Sequence, residues 1–222
     1  MLAAGELDVA LVSSFEFLRN PIYHIVDEVS IASDGAVFSV VVAYEGSRPH
    51  SQIELDPASE TSVAPLQLLV NERGSAPLRV VKMEAEMLSP LAPDRSRLLI
   101  GDQAIRFRQK YGPAYRFWDL GEEWKGLTGL PFVYALWLMR PEVSDPNLIG
   151  DELRTLRDRN LENLHEVIAL QTEFSPEFCS RYYTQHLRFS LGEREKDGLR
   201  QFASGCTKLG LIPATDPHLR LV

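Results

Sequence analysis

Along the first half of the chain, short apolar runs end in small or polar residues and are followed by turn residues or helical spacing. This is the pattern of βα units around parallel sheets. Four runs carry it: Leu7–Ser14, Ala36–Tyr44, Leu78–Met83 and Arg97–Asp102. Ile53–Leu55 reads as a further short strand and Val63–Val70 as the helix after it. Beyond Met139 the period changes. Leu153, Leu156, Leu161, Leu164, Val167 and Ile168 share one face at helical spacing and predict an amphipathic helix over 151–170. Ser175-Pro176-Glu177 has the hydroxyl, proline and early acid of a helix start. Leu199, Phe202, Cys206 and Leu209 line one side of a last helix over 192–209.

The two longest apolar strands, Ala36–Tyr44 and Pro131–Met139, enclose a segment with its own strand and helix signals. They read as crossings between two lobes, lobe 1 formed by 1–48 and 132–222 and lobe 2 by 49–131. A two-lobed α/β protein of this kind holds its ligand in the cleft. Thr128-Gly129, in the turn before the second crossing, is the candidate hinge.

Composition narrows the function. With 222 residues, 45% of them hydrophobic, the chain can build one large core or two small ones. A net charge of -8 argues against nucleic acid or an anionic membrane as a partner. No apolar run approaches the ~20 residues of a bilayer span. The first residues carry no basic region followed by an apolar core, so the expected location is the cytoplasm. Cys179 and Cys206 lie far apart, and the five His have no ligand spacing, so no metal is assigned. The glycine-rich nucleotide fingerprints, the nucleophile elbow and the zinc helix are absent, and no cofactor is implied.

What remains is a set of hydroxyls and acids at strand ends, where α/β sheets bind ligands. Ser59, Thr61 and Ser62 crowd a strand-to-helix junction. A helix start attracts carboxylate or phosphate through free N–H groups and the dipole. One hydroxyl suffices for a simple cap, so both readings stand. Ser39 is the lone polar side chain between Val37 and Ala43, and Ser13 and Ser14 end the first strand. Asp102 follows a buried strand and reads either as a site acid or as a cap for the next helix, and Asp119 reads as a strand end and helix cap.

Several segments together, Leu2–Val12, Ser30–Val40, Ser59–Ser62, Leu98–Asp102, Asp119–Trp137 and Tyr182–Glu195, closely resemble the chorismate dehydratase family of the futalosine route to menaquinone. The resemblance implies a type II periplasmic-binding-protein-like fold used as a cytoplasmic enzyme. It implies loss of water from chorismate to give 3-[(1-carboxyvinyl)oxy]benzoate. The sister enzyme that makes 1,4-dihydroxy-6-naphthoate shares the fold, but Ser59–Ser62 with Thr128–Pro131 fits the dehydratase better. A receptor that holds a small carboxylate without chemistry is the reading from another class.

On this resemblance Thr61 and Ser62 hold a substrate carboxylate, Ser39 and Ser14 orient the substrate or assist the departing hydroxyl, and Asp102 lies at the site. The base is the enolpyruvyl carboxylate of the substrate, with Asp102 as the competing candidate. In the family the Leu2–Asp8 pattern follows an upstream segment that supplies a strand, a helix and a site Asn. The expectation is therefore that the 222-residue form is poorly stable and inactive, and that a form extended upstream folds and turns over chorismate.

Overall fold

In the computed structural model, which describes residues 1–55, 63–74, 78–83, 88–213 and 218–222, the chain begins with β1 (Val9–Ser13), α1 (Ser14–Arg19) and β2 (His24–Ser33). It continues through β3 (Val40–Tyr44), β4 (Gln52–Leu55), α2 (Val63–Glu72), β5 (Arg79–Lys82) and β6 (Ser96–Ile100). Then come α3 (Asp102–Tyr111), β7 (Arg116–Asp119), α4 (Leu120–Thr128) and β8 (Phe132–Met139). The last elements are α5 (Pro146–Glu162), α6 (Leu164–Ala169), α7 (Pro176–Arg181), a π-helical turn (Tyr182–His186) and α8 (Glu193–Lys208).

These elements form two compact units, Met1–Asp34 with Leu130–Val222, and Gly35–Gly129. The division differs from the expected 1–48, 49–131 and 132–222. The strand read as the first crossing pairs with β6 and β7 and so belongs wholly to the inner unit.

The sheet of the first unit has the order β1-β8-β2 and is antiparallel throughout, where the apolar runs had suggested a parallel one. A buried run reads the same in either direction, and only the partner decides. Val9, Trp137 and Met139 turn to the face on which Ile149 and Leu153 of α5 pack. On the other side Phe202 of α8 meets the Phe132 ring at 5.0 Å. α8 comes this close because Gly198 has no side chain: a Cβ there would lie 2.1 Å from the carbonyl oxygen of Pro131. The free edge of β2 is covered by backbone bonds from Ile25 to Arg220 and Val222 and from Ala32 to Arg188, which removes an open pairing edge. Asn163 divides the helix expected over 151–170 into α5 and α6. Ahead of β1 the chain forms turns, with Gly5 N–H on the Leu2 carbonyl and Glu6 N–H on that of Met1.

The second unit has a five-stranded sheet in the order β5-β4-β6-β3-β7. β4 runs parallel to β5 and β6, while β3 runs against both β6 and β7. The carboxyl ends of β4, β5, β6 and β7 therefore share one edge with the start of β3. Val41, Ala43 and Leu99 face α3, where they bury Ala104 and Phe107. Under that face Arg97, fully buried, makes two bonds to Glu54 at 2.9 and 2.6 Å and donates to the carbonyls of Ser89 and Pro90.

Candidate functional site

The polar groups named from sequence converge most clearly at the carboxyl edge of the second unit's sheet. β3 begins at Val40, opposite Ile100 at the end of β6. This register places Ser39 beside Gly101, whose N–H donates to the Ser39 carbonyl at 2.7 Å. Ser39 is buried, and it precedes the strand instead of lying inside it, a correction to the reading of 36–44 as one strand. The break falls at Phe38, whose φ of 69° lies outside the extended region and ends the run before β3 begins at Val40. Gly101, at φ 60°, turns β6 into α3 and puts Asp102 at the first helical position. The residue before that helix is Gly101, and Asp102 makes no capping bond, so the capping role considered for Asp102 is not found.

The carboxylate that organises this edge is Asp119, at the end of β7. Its Oδ1 accepts from Gly121 N–H at 3.0 Å and Glu122 N–H at 3.2 Å and so caps α4 as the sequence suggested. The same oxygen accepts from Val37 N–H at 3.0 Å, and Oδ2 accepts from Phe38 N–H at 2.7 Å. Arg108 of α3 holds the other side of Phe38. It donates to the Phe38 carbonyl at 3.0 Å and lies over the Phe38 and Phe117 rings at 4.1 and 4.6 Å. Burial lowers the Arg108 pKa, and the charge of Asp119 works against that shift. A bulky residue at positive φ costs roughly 1–3 kcal/mol and persists only where its surroundings over-determine it. Here both backbone groups and the ring of Phe38 are held.

Other expected residues lie elsewhere. In the first unit Ser13 caps α1 by accepting from Phe15 N–H, and Ser14, 2% exposed, donates to the Val133 carbonyl at 2.6 Å. Thr128 donates back to the Trp124 carbonyl, and Gly129 takes φ 71° as the left-handed cap of α4. This pair is the last of the second unit before Leu130 returns to the first. Ser59, Thr61 and Ser62 fall outside the described residues, between the end of β4 at Leu55 and the start of α2 at Val63.

Two cavities contain none of the predicted site residues. One of about 270 Å³ in the first unit is lined mainly by apolar groups such as Trp137, Leu156 and Phe189. One of about 910 Å³ in the second unit lies where β4 starts and α2 ends, among His50, Ser51, Arg73 and Trp118. Among the described residues no three His, Cys, Asp or Glu gather as a metal site, and no helix is long and apolar enough to cross a membrane.

Sequence reasoning missed the reach of Asp119 to residues 37 and 38, and it missed Arg108 altogether. The capping pattern Asp119-Leu120-Gly121-Glu122 was readable. Nothing local shows that the second carboxylate oxygen reaches a loop 81 residues away.

Residues 1–208 match the family model described as menaquinone biosynthesis. The chain is 32% identical to the chorismate dehydratase of Thermus thermophilus over 91% of its own length and 81% of that protein's. Among solved structures it resembles protein AF1704 from Archaeoglobus fulgidus, with a TM-score of 0.71 at 20% identity over 95% of this chain and 82% of that one. It also resembles the periplasmic aliphatic sulphonate binding protein SsuA from Escherichia coli, with a TM-score of 0.56 at 11% identity over 99% and 76% of the two chains. At such identities the structural likenesses speak for the fold alone, which is periplasmic-binding-protein-like.

Proposed function

The chain belongs to the menaquinone biosynthesis family, and from that premise we propose that it is a chorismate dehydratase, a lyase that converts chorismate to 3-[(1-carboxyvinyl)oxy]benzoate and water. The observation that carries this reading is the match to the Thermus thermophilus enzyme over nearly the whole chain. We assign the reaction to the cytoplasm and to the futalosine route.

The chemistry needs little from the protein beyond placement and charge. Removing the proton from the ring carbon that bears the ether leaves an electron pair that spreads through the diene to the ring carboxylate. Donors aimed at that carboxylate lower the barrier. The neighbouring C–O bond then breaks, the hydroxyl leaves with a proton as water, and the ring becomes aromatic. In this proposal Thr61 and Ser62, just before α2, hold a substrate carboxylate. Ser39 orients the substrate or assists the departing hydroxyl, and Asp102 stands beside it. The enolpyruvyl carboxylate of the substrate takes the proton, and the protein fixes the conformation that lets it do so.

Incubating the full-length gene product with chorismate and following product mass tests the reading, because the product is lighter than chorismate by one water. Asp102→Asn then tests the base. Retained turnover supports the substrate carboxylate, whereas a folded variant that binds chorismate and cannot dehydrate it transfers the role to Asp102.

A further inference from the structure

Phe38 is a large aromatic residue in a left-handed conformation, immediately before the serine assigned to the reaction. The two neighbouring elements that fix it come from distant parts of the second unit. Asp119 ends β7 and receives the Val37 and Phe38 N–H groups, while Arg108 of α3 takes the Phe38 carbonyl and stacks on its ring. Neither the strand pairing of β3 nor the cap of α4 requires this arrangement. Val40–Tyr44 finds its partners through β6 and β7, and α4 is capped by Oδ1 alone. Oδ2 of Asp119 bonds the strained residue. What the strain sets is the direction of the chain at the next position, because Ser39 is where the loop joins β3 and where Gly101 N–H docks.

We propose that Asp119 and Arg108 are positioning residues, which lock Phe38 in its left-handed conformation so that Ser39 is presented beside Gly101 and Asp102 at the carboxyl edge of the sheet. The proposal rests on the assignment of Ser39 to chorismate dehydration. It adds residues that act through Ser39 without touching substrate.

Asp119→Asn separates the two duties of the carboxylate. Asn caps a helix as well as Asp, so its amide oxygen, in the place of Oδ1, keeps the bonds to Gly121, Glu122 and Val37. Its NH₂ group faces Phe38 N–H, donor against donor. The expected result is a fall in kcat of tenfold or more, with KM changed less than threefold and the melting temperature nearly retained. Combined with Ser39→Ala, the second substitution should add little, as for residues that act through one group. Amide hydrogen exchange gives a readout that needs no turnover. In Asp119→Asn exchange at Phe38, whose N–H bonds Oδ2, should quicken, while Val37 and the amides of α4, which bond Oδ1 or lie in the helix it caps, keep their protection. Additive losses of kcat in the double variant, or unchanged exchange at Phe38, overturn the proposal. If the wild-type protein leaves chorismate intact, the functional reading fails, and the exchange result decides the positioning of Phe38 separately.

Discussion

The two units spend their buried polar groups differently. In the first, hydroxyls are tied to backbone carbonyls of the same core: Ser14 to Val133 and Ser30 to Ser190. Its Lys196 pairs with Asp27 at the rim, where Asp27 keeps 27% of its side chain exposed. In the second unit the buried charges lie within or at the edge of the sheet. Glu54 and Arg97 are both almost fully enclosed, and Asp119 gathers backbone N–H groups from two segments. The lesson is that a polar residue at a strand end has two uses. A hydroxyl that donates to a neighbouring carbonyl completes the fold, whereas a carboxylate that collects N–H groups from separate segments fixes one relative to another.

The largest effect should come from Glu54→Ala, which leaves Arg97 buried without its charge partner and should cost about 3–5 kcal/mol in urea unfolding. A loss below 1 kcal/mol would show that the carbonyls of Ser89 and Pro90 alone satisfy the guanidinium. Next, Ser39→Ala should lower kcat by roughly 100-fold if the hydroxyl acts on the developing charge or the departing group. A kcat within twofold of wild type removes Ser39 from the chemistry. Thr61→Val should then weaken binding of a dicarboxylate product analogue by about 1–3 kcal/mol, the value of a hydrogen bond to a charged group. Equal affinity in calorimetry returns Thr61 to capping.

The smallest effect belongs to the first unit, where Asp27→Asn should cost about 1 kcal/mol, because the pair is partly exposed to water. Burial alone would lower the Lys196 pKa, but its bonds to Asp27 and Glu193 outweigh burial and raise it. A raised folded-state pKa gives stability that is fully present below the ordinary lysine range and is lost as pH climbs through the folded value. Asp27→Asn should flatten this alkaline decline in thermal unfolding. A decline of unchanged steepness would assign it to other groups.

Much of the second unit was legible because its signals are local. Val40–Tyr44 and Ser96–Ile100 are apolar runs, and Asp119 sits before a helix with acids in its first turn, Lys125 in its last and Gly129 at its end. What escaped depends on distant partners or on backbone that breaks a pattern. β2 is the longest strand, yet Asp27 and Glu28 interrupt its apolar sequence, and Glu28 takes φ 65° where the register with β8 shifts. The run 36–44 hid the turn at Phe38, because hydrophobicity carries no record of φ. The antiparallel sheet joins β1 to β8 across more than a hundred residues, and no periodicity encodes that pairing. At the candidate site Ser39 and Asp102 were named, and Gly101, which precedes Asp102, bonds the Ser39 carbonyl, while the groups that hold Phe38, Asp119 and Arg108, emerge only from the tertiary structure.

The most direct test of the account is a proton NMR time course of chorismate with the full-length gene product. The account predicts that the diene resonances fade as those of a benzoate substituted at positions 1 and 3 grow in equal amount, with no added cofactor. Diene resonances that persist in the presence of folded protein would contradict it.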